Sequence, residues 1–134
     1  MRKQNWQSIL HAFIDSRRNE PFQWGKNDCA LFAADCVSSF TDIDYAESFR
    51  GKYRSLKGSI KALKDQGFNS VDEVPDNLFE RIPINSAMKG DVVSIKQNNR
   101  ASLGICIGHF AVFTGVKNLE FMPMYAVEKA WRVK

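Results

Sequence analysis

Pro21-Phe22-Gln23-Trp24-Gly25-Lys26-Asn27-Asp28-Cys29-Ala30-Leu31-Phe32 runs from a tight turn into the first turn of a helix and places a cysteine at the junction. Gly25 admits a backbone conformation that other residues resist, and Asn27 or Asp28 supplies a cap for the free N–H groups. From Cys29 onward, Phe32, Ala33, Cys36, Val37 and Phe40 recur at the three-or-four spacing of a single buried helical stripe. Unpaired N–H groups and the positive end of the helix dipole favour a thiolate over a thiol at such a position. Cys29 is thus either a nucleophile or a small buried apolar residue, the commoner fate of a lone cysteine.

A cysteine nucleophile needs a base, and the chain has two histidines. His11 lies in an amphipathic first helix with Trp6, Ile9, Leu10, Phe13 and Ile14 inward, and falls on the flank of that face, in a structural or solvent-facing position. His109 opens His109-Phe110-Ala111-Val112-Phe113-Thr114-Gly115, a β-type run bounded by Gly108 and Gly115. Alternation puts His109, Ala111 and Phe113 on one face of that strand and Phe110, Val112 and Thr114 on the other. The other reading of His109 is a strand-end imidazole bonded to a carbonyl.

These landmarks together resemble the NlpC-like cysteine peptidases, a branch of the papain-like fold. The resemblance is carried by Trp24-Gly25, Asp28-Cys29, Gly90-Asp91-Val92-Val93 and His109-Phe110-Ala111-Val112-Phe113 with Gly115, in the family's order. More narrowly, the chain is similar to a small phage and prophage group. Its marks here are Pro21 to Gly25, Cys29-Ala30-Leu31-Phe32-Ala33-Ala34-Asp35, Arg50-Gly51-Lys52-Tyr53 and Ala130-Trp131-Arg132-Val133. The resemblance implies a papain-like domain in a virion protein of the phage tail, at the tail tip, with other tail proteins and peptidoglycan peptide as partners. It implies catalytic roles for Cys29 as nucleophile, His109 as base, Gln23 as oxyanion donor beside the Cys29 N–H, and Glu120 in the window of the third position, which also holds Asn118. The chain departs from the family in carrying Ala30-Leu31 where Ser-Gly is usual, and Phe22 where a tyrosine hydroxyl is usual. Three readings follow: a cysteine amidase or endopeptidase cutting cell-wall peptide, a catalytically inactive structural protein of tail assembly, and a module that binds wall peptide without cutting it.

With 134 residues, the chain is expected to form one domain, residues 1–134, with an ordinary core. No apolar stretch is long enough to span a bilayer, and Met1-Arg2-Lys3-Gln4-Asn5-Trp6 leads straight into a helix with no signal-peptide core, so synthesis in the host cytoplasm is expected. Three irregularly spaced cysteines make neither a disulfide framework nor a zinc pattern, and no cofactor is expected. Cys36 and Cys106 read as core residues.

Between Arg50 and Lys64 there are six basic residues and no acidic one. Lys57, Lys61 and Lys64 share a face of a helix whose other face, Leu56, Ile60 and Leu63, is expected inside, with Gly67 ending it. A solvated face is the simpler reading of the lysines than an anion-binding one, and no nucleic-acid motif accompanies them. Ser70-Val71-Asp72-Glu73 has capping-box spacing. Strands are expected at about 91–96, 102–107, 109–115, 119–122 and 126–133, rich in Val, Ile and Phe. Helices first and strands later make an α+β domain, N-terminal helices on a C-terminal antiparallel sheet, with the Cys29 helix bringing the thiol toward His109. The aromatics Phe22, Trp24, Phe110, Phe113, Phe121 and Trp131 either line a groove or fill the sheet's core.

Overall fold

The computed structural model describes residues 1–134. Four helices come first: α1 (Trp6–Arg17), α2 (Cys29–Thr41), α3 (Leu56–Asp65) and α4 (Glu73–Leu78). Six strands follow: β1 (Glu80–Ile82), β2 (Val92–Gln97), β3 (Arg100–Cys106), β4 (Phe110–Phe113), β5 (Glu120–Pro123) and β6 (Lys129–Arg132). They form one antiparallel sheet in the order β1-β6-β2-β3-β4-β5, so the domain is α+β.

Helix α2 is the central helix because both its ends are fixed and its stripe is apolar. Asp28, extended at φ −95° and ψ 177°, accepts from the Leu31 N–H at 3.0 Å, and Asp42 ends the helix in the left-handed region at φ 64°. Leu31, Phe32, Ala33, Cys36, Val37 and Phe40 are buried on it. All of these but Leu31 share one core cluster with Leu10 and Ile14 of α1 and Val92, Leu103, Ile105, Val112 and Trp131 of the sheet. The opposite sheet face buries Val93, Ile95, Cys106, Ala111, Phe113 and Ala130 beneath the segments around Ile82, Ile84 and Met124.

The β2–β3 hairpin turns on Asn98 and Asn99, whose φ values of 53° and 63° are those of a two-residue turn that matches strand twist. Strand β6 lies inside the sheet between β1 and β2, pairing Trp131 with both Val92 and Arg81. Its position is locked by Asp91, whose side chain is fully buried. One Asp91 oxygen accepts from Arg2 at 2.9 Å and from the Val133 N–H at 3.0 Å, and the other accepts from Arg132 and the Met88 N–H, both at 3.0 Å.

Two local expectations need correction, and one strand was not expected. The capping box does not form: the Ser70 hydroxyl donates to Asp72, Glu73 accepts from the Asn69 N–H at 3.0 Å, and α4 starts at Glu73 itself. The stripe Leu56, Ile60 and Leu63 is not inside, because Ala62 is the buried residue of α3 and Ile60 is 39% exposed. Strand β1, only three residues long, was not legible as a strand and exists by pairing with β6. Gly67 does end α3, where at φ 91° it lets the Phe68 N–H reach back to the Leu63 carbonyl at 2.9 Å.

Candidate functional site

The turn before α2 is built around one buried carboxylate. Asp28 caps α2 through one oxygen, while the other accepts from the Gly25 N–H at 3.0 Å and from the Tyr53 hydroxyl at 2.6 Å. Gly25 has φ 79°, and a Cβ there would stand 2.2 Å from the Tyr53 carbonyl oxygen, so the 24–28 turn and the 51–54 turn touch backbone to backbone. Asn27 is also buried and donates to the carbonyls of Glu20 and Pro21 at 3.3 and 3.0 Å. Next to it, Asp35 of α2 accepts from Arg17 at 2.7 Å and from Arg50 at 2.5 Å, and Arg50 also holds Asp44. Trp24-Gly25, Asp28, Asp35 and Arg50-Gly51-Lys52-Tyr53, far apart in sequence, are thus one structural unit that fixes where Cys29 sits.

Cys29 opens onto a groove of about 680 Å³ between α2, α3, α4 and the hairpin end of β2 and β3. The Leu103 N–H is near enough to act on the sulfur, where it favours the thiolate. That N–H is free because of the ladder: Cys106 donates to the Asp91 carbonyl, so alternate residues 105, 103 and 101 turn their backbone groups away from β2. Val112 pairs with Ile105, but β4 ends at Phe113, and nothing in the strand reaches Leu103.

The other expected site residues lie elsewhere. His109 precedes β4, whereas the β3–β4 register runs from Cys106 opposite Ala111 toward Leu103 beyond the strand's other end, so the length of β4, about 10 Å at the usual rise, lies between the two levels. His109 is exposed, and its carbonyl accepts from the Met124 N–H at 3.1 Å. Glu120 is exposed on the edge strand opposite Phe113, about 13 Å along the sheet from the position facing His109, where it cannot orient the imidazole. Gln23 is exposed on the turn, with its backbone bonded both ways to Asn27. Of the four, Cys29 alone lines the groove, and no histidine lines it. The expectation that packing α2 on the sheet carries the thiol toward His109 is corrected here: the two-residue turn at Asn98-Asn99 makes β3, not β4, the strand beneath Cys29, and β3 offers Ala101, Ser102 and Leu103 there.

A family described as a domain of unknown function, DUF6950, matches residues 1–133. The chain belongs to the DUF6950 family. No curated protein matches it.

The electrostatics of this DUF6950 site oppose a thiolate. Burial of the sulfur pushes the Cys29 thiol up to about 11, and the Asp28 charge acts in the same direction. The N–H groups of Leu103, Ala30 and Cys29 pull the other way and lose. The residue that starts the helix therefore works against the helix dipole at its first residue. Burial, followed by the hydrogen bond to Asp28, likewise holds the Tyr53 phenol well above its ordinary value.

What sequence reasoning missed is the far wall of the groove. Leu56, Ile60 and Leu63 of α3 and Leu78 of α4 face the opening, and Lys64, Lys96 and Arg100 stand at its margin. Of the aromatics, Trp24 lines the groove, Trp131 and Phe113 are buried, and Phe110 and Phe121 are partly exposed on the sheet. Cys36 and Cys106 are buried and all three cysteines are free. No cluster of His, Cys, Asp and Glu suited to a metal is present, and no helix is long and apolar enough to cross a membrane.

Proposed function

We propose that this domain is a non-catalytic member of the NlpC-like, papain-like scaffold that serves in phage tail assembly as a binding and structural protein, with other tail proteins as its partners. The observation that carries the reading is Cys29 itself. It occupies the start of the central helix, with its thiol pushed up to about 11 and no imidazole lining its groove. Acyl transfer from a cysteine needs a base within hydrogen-bond reach and a thiol poised near the working pH, and neither condition is met. The capped turn, the buried Asp28 and the open groove remain, which is a scaffold suited to holding a segment rather than cutting one.

The test is incubation of the full chain with peptidoglycan fragments and, separately, with an electrophilic peptide probe at neutral pH, for wild type, Cys29→Ala and His109→Ala. No turnover is expected, and probe labelling of Cys29 that is indifferent to His109. Turnover that disappears in Cys29→Ala would falsify the non-catalytic reading and return the domain to the peptidases.

A further inference from the structure

An amphipathic helix normally spends its apolar stripe on the core. Helix α3 does not: Leu56, Ile60 and Leu63 line the open groove, and Ile60 is 39% exposed. Leu78 of α4, also 39% exposed, closes the same opening, with Val71 between them. The groove is open to solvent, and its volume of about 680 Å³ is in the size range of ligand-binding clefts. The charges around it are unbalanced. Asp72 is paired with Lys129 at 2.7 Å, whereas Lys64, Lys96 and Arg100 make no ion pair and outnumber Glu73, the one carboxylate of the lining that has none.

We infer that the groove between α3, α4 and the β2–β3 hairpin docks a short segment of a partner protein that carries apolar side chains flanked by carboxylates. The apolar walls take the former, and Lys64, Lys96 and Arg100 meet the latter. A bare polyanion would leave Leu56, Ile60, Leu63 and Leu78 wet, and an uncharged apolar segment would leave the excess of cations over Glu73 unmatched. This inference rests on the non-catalytic reading only for the fate of the docked segment, which is held and not processed, and not for the docking itself.

The experiment uses the full chain and three fluorescein-labelled peptides: alternating leucine and glutamate, alternating leucine and lysine, and oligoglutamate of the same length. Anisotropy should show saturable binding of the leucine–glutamate peptide. Its affinity should fall about tenfold or more in Ile60→Glu and in the Lys64→Glu, Arg100→Glu double variant, and weaken with added salt. Because these side chains are at the surface, equal unfolding midpoints will confirm that the variants fold. Absence of binding, equal binding of the lysine peptide, or an affinity unmoved by both variants overturns the inference, and oligoglutamate binding as tightly replaces it with a polyanion site. Mass spectrometry of the recovered peptide separates the two claims: cleavage overturns the non-catalytic reading alone, and lack of binding overturns the docking groove alone.

Discussion

The Tyr53 hydroxyl donates to the Asp28 carboxylate at 2.6 Å, joining the turn after residue 50 to the cap of the helix that begins at Cys29. Tyr53 is half-buried and Asp28 is 1% exposed, so the carboxylate depends on its three protein donors in place of water. A hydrogen bond to a charged group contributes about 1.5–3 kcal/mol. Tyr53→Phe should therefore lower unfolding stability by about that amount, and Asp28→Ala by more, because it removes the helix cap as well. Urea denaturation measures both. A Tyr53→Phe variant as stable as wild type would show that the contact adds nothing.

Burial of Tyr53, followed by the same bond, gives the domain an alkaline limit. The phenol is raised in the folded state above its unfolded value of about 10, so the folded state holds this proton more tightly. The stabilisation is complete below about pH 10 and is lost as pH rises beyond it. Denaturation midpoints of wild type should fall more steeply above that point than those of Tyr53→Phe, which has no proton there to lose.

The Cys29 thiol should be a slow nucleophile. Against an ordinary value of 9.0, a thiol pushed up to about 11 holds roughly a hundredfold less thiolate at neutral pH. The higher basicity returns part of that loss as intrinsic nucleophilicity, leaving a net slowing of about tenfold before any steric shielding. Alkylation of native protein by iodoacetamide, followed by peptide mapping, should show Cys29 modified about tenfold or more slowly than the same residue in urea. The rate should climb with pH toward 11 rather than level off near neutrality. A plateau below pH 8 would mean an activated thiol.

Much of this was legible in the chain. The stripe from Cys29 to Phe40 and a cap at Asn27 or Asp28 follow from local spacing and side-chain chemistry; the stripe stands in the structure, and of the two residues it is Asp28 that caps. The site was not, for two physical reasons. Periodicity says that Leu56, Ile60 and Leu63 share a face but not what covers it, and here that face is left to the groove. Which strand lies under Cys29 depends on the Asn98-Asn99 turn and on a register set by long-range pairing, so a histidine eligible by residue type falls at the wrong level of the sheet. The same holds for β6, whose place between β1 and β2 no local signal records.

Gly25 and Gly67 provide a controlled comparison. Both have positive φ, 79° and 91°, but a Cβ at Gly25 meets the Tyr53 carbonyl oxygen at 2.2 Å, whereas at Gly67 nothing lies within 4 Å. Gly67→Ala should cost only the conformational strain of a left-handed residue, about 1 kcal/mol. Gly25→Ala must also push the two turns apart and weaken the Asp28–Tyr53 contact, so it should cost clearly more and speed hydrogen exchange of the first-turn amides of α2. Equal costs would mean that the two turns yield freely.

Strand β6 makes the last residues of the chain indispensable. Termini usually tolerate trimming because few contacts hold them. Here Trp131 is fully buried, its indole N–H donates to Asp76 at 2.9 Å, and Arg132 and the Val133 N–H both serve the buried Asp91. Removing residues 129–134 would split β1 from β2, empty the core position of Trp131 and leave Asp91 with Arg2 and the Met88 N–H as its remaining donors. A buried aromatic deleted to a cavity costs about 3–5 kcal/mol, and each of the two lost hydrogen bonds to the Asp91 carboxylate about 1.5–3 kcal/mol, which together match the whole stability of an ordinary domain. The truncated chain should therefore lack dispersed amide resonances and cooperative melting. Asp91→Ala alone, with β6 intact, should remain folded but lose about 3–5 kcal/mol. A truncated chain that melts cooperatively would show that β6 is an accessory strand.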